Sequence, residues 1–340
     1  MADTVTIAAL RSEMWRKALF ADVAKDSYIQ SRFVGGENSI IHKVEDFTAD
    51  PRDGAGAKVN FGISIKLAGT GVEGDSELEG NEEAITTYDS EVEVNQLRHA
   101  VRLTGNMDEY KAAYNMRTDA KEKLKIWWME RIDKEILDKL AGKTTSTFAN
   151  TPAAPSSSRR VYAGGQSSEG ALTSSMVFDT KVIGAAKQTA RLANPKVRGV
   201  KVGGKDRFVM FIHPYQTEDL RRDPVWNQAQ REANIRGEDN PIFSGALGMY
   251  NDVVLHDHEQ VYTSTDGSGG AAIARASLCG AQACVLGIGT PKKWTEKKFD
   301  YDNVWGVAAG LVFGVQKVQF NSVDYGVITV STAAAAASTA

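Results

Sequence analysis

Residues 106–142, NMDEYKAAYNMRTDAKEKLKIWWMERIDKEILDKLAG, carry the longest helical pattern in the chain. Tyr110, Ala113, Ala120, Leu124, Trp127, Trp128, Ile132, Ile136 and Leu140 trace one stripe, and charged side chains fill the rest of the surface. Asn106 with Glu109 three residues on reads as a capping box, and Gly142 supplies the stop. A helix over 106–141, rising ~1.5 Å per residue, is on the order of 50 Å long. An element of that length is a spine on which shorter pieces of chain must pack.

Just upstream, KVNFGISIKLAGTGVEGDSELEGNEEAITTYDSEVEVNQLRHAVRL reads as a long hairpin with a glycine-punctuated tip. Val59, Phe61, Ile63, Ile65 and Leu67 alternate onto one face, and Val92 and Val94 return. Between Leu67 and Leu97 lie nine carboxylates and no lysine or arginine. Such an element cannot neutralise itself and repels a copy laid alongside. It is either a solvated loop that aids solubility or a projecting arm that docks on a basic surface of another subunit. In the second case Glu73, Asp75, Glu77, Glu79, Glu82 and Glu83 are the candidate inter-subunit contacts. Further upstream, Leu10, Met14, Trp15, Ala18 and Leu19 recur at helical spacing ahead of Gly35 and Gly36, predicting a short amphipathic helix.

Downstream, residues 143–175 are rich in Ser, Thr, Ala, Pro and Gly, predicting a long excursion with little core. Helices are expected over Phe178–Leu192 and Tyr215–Arg222, with a buried strand from Arg207 to Pro214 between them. Strands then dominate: VVLHDHEQV (Val253 to Val261), a strand and hairpin at SLCGAQACVLGIG, the aromatic segment Trp294 to Trp305, a buried strand pair at VWGVAAGLVFGV, and DYGVITVST. The final STAAAAASTA reads as a frayed tail. Helices in the middle with strands on both sides predict an α+β protein, not a doubly wound sheet.

A chain of 340 residues with 42% hydrophobic and 24% charged residues has ample material for a core. A net charge of −3 does not suit a protein that grips nucleic acid through phosphate neutralisation. The start of the chain lacks the pattern of a secretory signal, and no apolar run is long enough for a membrane span, so neither export nor a membrane partner is expected. Two cysteines, Cys279 and Cys284, form no disulfide framework. No phosphate-cradling loop, nucleophile elbow or H-E-x-x-H helix is present. His256 and His258 project to one side of a strand about 7 Å apart, close enough to chelate. A catalytic zinc needs a third protein ligand, which the sequence does not supply nearby. A strand end with polar residues reaching solvent is the favoured reading, and a metal-dependent hydrolase using these histidines the contrasting one. No cofactor and no catalytic residue are expected.

The chain resembles the major capsid proteins of tailed bacteriophages, of the Hong Kong ninety-seven type fold, and within them the N-four-like phage capsid family. The segments that carry the likeness are LRSEMWRKALFADV, RFVGGENSIIHKVEDF, LAGTGVEGDSELEGNEEAI, QLRHAVRLTGNMDEYK, NPIFSGALGMYNDVVL and FGVQKVQFNSVDYGVITV, from about residue 5 to 331. The resemblance implies an N-terminal arm (1–55), an extended loop hairpin (56–97) and a peripheral domain (98–199) with spine helix 106–141. It further implies an axial domain (200–290), a return to the peripheral domain (291–331) and a disordered tail (332–340). It implies self-association into hexamers and pentamers of an icosahedral shell around double-stranded DNA, held without sequence specificity. A portal, and scaffolding or decoration proteins, would be partners, with assembly in the host bacterial cytoplasm and residence in the virion. An encapsulin-type compartment shares the fold and is the related alternative. Some shells of this fold lock covalently through a lysine on the extended loop; Leu67 through Tyr110 contains none, which predicts non-covalent closure.

Overall fold

The computed structural model describes residues 19–336, less 21, 48–57, 65–70, 75–76, 85–86, 112–114, 146–147, 150, 203 and 234–246. Most of the expected N-terminal helix, Asp75, the stretch 240–246 of one likeness segment and residues 337–340 therefore lie outside it. Residues 19–20 and 22–26 are helical. Ser27 caps α1 (Tyr28–Phe33), its hydroxyl accepting from the Gln30 N–H, and β1 (Ile41–Phe47) follows.

The alternating segment forms the expected strand pair, β2 (Lys58–Ser64) and β3 (Thr87–Glu93), antiparallel with Val59 opposite Val92. Past Val94 the chain continues into β4 (Asn95–Gly105). The spine differs from the 106–141 expectation. It comprises α2 (Asn106–Lys111) and the 25-residue α3 (Met116–Leu140), about 37 Å long. Asn115 is extended and its side chain accepts from the N–H groups of Arg117 and Thr118, so it starts a new helix. Ala120, Leu124, Trp128, Ile132, Ile136 and Leu140 are buried as the stripe predicts, whereas Tyr110, on α2, is exposed. The side chains of Asn106 and Glu109 lie outside the described residues.

The Ser/Pro-rich excursion carries more core than expected: Phe148, Ala163 and Leu172 are buried. It also holds β5 (Arg160–Tyr162). Asp179 caps α4 (Thr180–Leu192), accepting from the Val182 N–H. Then come β6 (Lys205–Ile212), α5 (Pro214–Arg222), α6 (Pro224–Ala233), β7 (Gly248–Tyr250), β8 (Val253–Asp257) and β9 (Ile273–Cys279). The chain closes with β10 (Cys284–Phe299), β11 (Val304–Lys317) and β12 (Val327–Ala333).

Two sheets result. The first has the order Val34–Gly35, β1, β10, β11, β4, in which β1 runs parallel to β10. Its β10 slips register between Gly289 and Lys293, the interval holding Pro291, which has no N–H for the ladder. The second has the order β5, β12, β9, β6, β8, β7, with Thr263–Ser264 added to β9 and Val200–Val202 to β6. Three expectations change accordingly. SLCGAQACVLGIG is no hairpin, because β9 and β10 belong to different sheets. VWGVAAGLVFGV is one strand, and its partners are β10 and β4. Ser331–Ala333 of the supposed tail close β12, with Thr332 and Ala334 buried, because Ser331, Thr332 and Ala333 pair with β9.

One core joins α3 to the first sheet through Trp128, Leu124, Val307, Leu311 and Phe313, and runs on to Val209, Phe211 and Val254 of the second. A second core packs α4 on the opposite face of that sheet through Ile183, Ala186, Met210, Leu255 and Ile328. The architecture is α+β, as the sequence predicts.

Candidate functional site

The hairpin is anchored at its base and bare at its tip. Val92 is buried against Val285, Val318 and Phe320. Close seating on β11 requires Gly314: a Cβ there would stand 2.2 Å from the Glu93 carbonyl oxygen. At the far end every described residue from 77 to 84 is exposed. Left-handed backbone at Gly71, Gly74 and Gly80 bends the chain where a side chain would be strained. The turn closes on itself, Asn81 N–H donating to the Leu78 carbonyl (3.0 Å) and the Asn81 amide to that of Glu77 (2.9 Å). Gly80 N–H donates to Glu82 Oε2 at 2.8 Å. Of the six predicted contact residues, the structure brings Glu77, Glu79, Glu82 and Glu83 into this one turn and leaves Glu73 exposed on the preceding run; Asp75 is outside the described residues. Leu78 sits among them 61% exposed.

The histidine pair has a different role from the solvent-facing strand end expected of it. His256 is wholly buried because α1 covers it. The Tyr28 hydroxyl lies 2.6 Å from its Nδ1, and the Phe33 ring meets it edge-on at 5.0 Å. His258 lies just past β8, its ring 5.6 Å from that of Tyr28, and burial pushes its imidazole pKa down. Both histidines thus face Tyr28, while Asp257 and Glu259 are exposed. Asp252 pairs with Lys187 at 2.7 Å. Among the described residues no three His, Cys, Asp or Glu side chains converge as metal ligands. Of the others, His213 caps α5, accepting from the Tyr215 N–H, and His99 stacks on Trp127 at 4.2 Å.

Both cysteines are buried, which pushes the Cys284 thiol up to about 12 and that of Cys279 up as well. A thiol so placed is no nucleophile at neutral pH. The buried charges that matter to the fold escaped the sequence reading, because their partners are remote. Lys317 meets Asp324 at 2.9 Å with both side chains essentially inaccessible. Arg275 grips Glu169 through two bonds of 2.6 and 2.7 Å. Asp133 on α3 accepts from Ser27 Oγ at 2.6 Å and from the N–H groups at the start of α1, yet burial dominates and pushes its carboxyl up to about 6. No local spacing signals any of these. The arrangement has structural charge pairs inside and one self-repelling acidic turn outside.

A family model described as Phage capsid protein matches residues 4–336. The chain belongs to the phage capsid protein family. Within it, the major capsid protein of Pseudomonas phage KPP25 is 30% identical over 361 residues, covering 95% of this chain and 93% of that protein. Among solved structures, the capsid of Ralstonia phage GP4 is 31% identical, with a TM-score of 0.81 and coverage of 92% of each chain. The capsid asymmetric unit of cyanophage Pam1 shares the fold at 23% identity and a TM-score of 0.73, covering 98% of this chain and 99% of that one. The fold is that of the Hong Kong ninety-seven type phage capsid proteins, and encapsulins are more distant structural neighbours. As a phage capsid protein, the chain is a virion component.

Proposed function

We propose that the chain is a major capsid protein whose copies assemble, as hexamers and pentamers, into an icosahedral shell enclosing the double-stranded DNA of a tailed phage. Its work is structural, done by weak contacts repeated many times. The observation that carries the reading is the hairpin: anchored at Val92 and Gly314, exposed at every residue from 77 to 84, and too acidic to pair with itself. An element of that kind adds nothing to the isolated subunit and gives each copy a heterologous contact, the type that closes rings and lattices. The residues 1–55 act as the arm, 56–97 as the extended loop, 98–199 with 291–331 as the peripheral domain and 200–290 as the axial domain. A portal, and scaffolding or decoration proteins, are the further partners, and assembly takes place in the host cytoplasm. The modest negative charge suits a container wall that must release its DNA. Family membership and 30% identity to a phage major capsid protein favour this reading over an encapsulin compartment.

The test reverses the charge of Glu77, Glu79, Glu82 and Glu83 together. Particles should fail to form while the subunit keeps its circular dichroism and sediments as a folded monomer. Unaltered particles would reduce the acidic tip to a solubility device.

A further inference from the structure

One face of the second sheet turns polar at its β5 edge. Register sets Thr329 of β12 beside Arg160 of β5, and Ser331 between Tyr162 of β5 and Arg275 of β9. Strand alternation sends these side chains to one face, while Ile328 and Val330 go to the other, into the core shared with α4. Over the polar face the chain leaves a cavity of about 240 Å³ walled by Gly142, Pro155, Arg160, Arg275, Thr329 and Ser331. The end of α3 and the Ser/Pro-rich excursion close on it because residue 142 is glycine: a Cβ there would stand 2.7 Å from Pro155 Cδ.

The wall carries more positive charge than its carboxylates answer. Glu169 is taken up within the wall, gripped by Arg275 through two bonds and accepting from Ser331 Oγ at 2.7 Å. Asp324 likewise answers Lys317, whose ammonium reaches the carbonyl of Ala154 on the cavity wall. Arg160 is left over. It forms no ion pair among the described residues, and its Nε donates to the Pro155 carbonyl, which holds the guanidinium at the cavity with its other N–H groups to give. Beside it Thr329 is 2% exposed, and its hydroxyl has no hydrogen-bond partner among the described residues. A hydroxyl kept from water without a partner is costly. Set against an unanswered cation, it points to a ligand that accepts from both.

We propose that this cavity binds a small tetrahedral oxyanion, inorganic phosphate being the ion it fits. Two phosphate oxygens accept from the Arg160 guanidinium, whose planar fork matches them at once. A third accepts from the Thr329 hydroxyl. A carboxylate would satisfy the fork and leave the hydroxyl bare, whereas a tetrahedral ion has an oxygen for each. Glu169 does not keep the ion out, because Arg275 neutralises it in place. The ion sits where the end of α3, the excursion and the second sheet meet, and it answers the charge that Arg160 brings to that joint.

The experiment follows the unassembled full-length chain in sodium phosphate and in sodium chloride of equal ionic strength, by thermal unfolding and by isothermal titration, for wild type, Arg160→Gln and Thr329→Val. Phosphate stabilises many proteins by exclusion from their surface, so the reading is the difference between the chains. Wild type should gain a phosphate-dependent rise in melting midpoint that saturates, and should titrate with one phosphate per chain. Each substitution should weaken that binding roughly tenfold. In chloride Thr329→Val should melt no lower than wild type, since it removes a hydroxyl that has no partner, which separates lost binding from lost fold. A rise of equal size in all three chains would overturn the inference. So would phosphate binding that survives both substitutions undiminished. Stabilisation by a short DNA duplex that depends on Arg160, with none from free phosphate, would assign Arg160 to the nucleic-acid backbone and equally overturn it.

Discussion

At the residue scale, buried charges fix the joints between elements. Asp133 ties α1 to α3, and its folded-state carboxyl is raised from 3.8 to about 6. Its contribution to stability is therefore complete below pH 3.8 and is lost as pH rises through about 6. At ~1.4 kcal/mol per pKa unit the loss amounts to about 3 kcal/mol. Asp133→Asn should flatten this dependence, so that the urea midpoints of unassembled variant and wild type diverge between about pH 4 and pH 7, most of the change falling below about pH 6; parallel curves would show that Asp133 does not titrate in this range. Lys317 and Asp324 have burial on both sides of the pair. Removing one partner leaves an unpaired buried charge, so Asp324→Ala should cost roughly 3–5 kcal/mol. Replacing both, Lys317→Met with Asp324→Leu, should recover most of that loss in the same denaturation assay.

At the element scale, the spine and the hairpin divide the work of core and contact. Gly314→Ala should push the base of the hairpin off β11, since its Cβ would overlap the Glu93 carbonyl. The expected cost is about 1–3 kcal/mol, together with faster amide exchange across β3; unchanged exchange would mean that the hairpin is not seated there. Periodicity made much of this legible: alternation gave β2 and β3, and the apolar stripe gave the buried face of α3. It did not show the break at Asn115, since an asparagine that caps a helix and one on its exposed face look alike in a repeating pattern. Nor could it show that β9 and β10 part into separate sheets, or that Ser331–Ala333 complete a strand, because pairing partners are remote in sequence. The burial of His256 is illegible in the sequence for the same reason. What buries it is Tyr28 and Phe33, more than 200 residues upstream. The acidic tip was legible as charge, because its carboxylates are neighbours in sequence.

At the scale of the whole molecule, two large sheets share a core with α3, and one charged hairpin stands apart from them. Closure by charge and burial alone predicts that purified particles, boiled in detergent, run as a single band at the subunit mass of 36.8 kDa; a high-mass ladder would reveal covalent locking. Because exposed charges are screened over about 10 Å at 0.1 M salt, particle yield should also fall as salt rises. The central claim is self-assembly, and sedimentation velocity of the expressed full-length chain, checked by negative stain, addresses it most directly. Closed shell-sized particles, formed by the chain alone or with its phage co-factors, are the predicted result. A monomer or dimer under every condition would contradict the account.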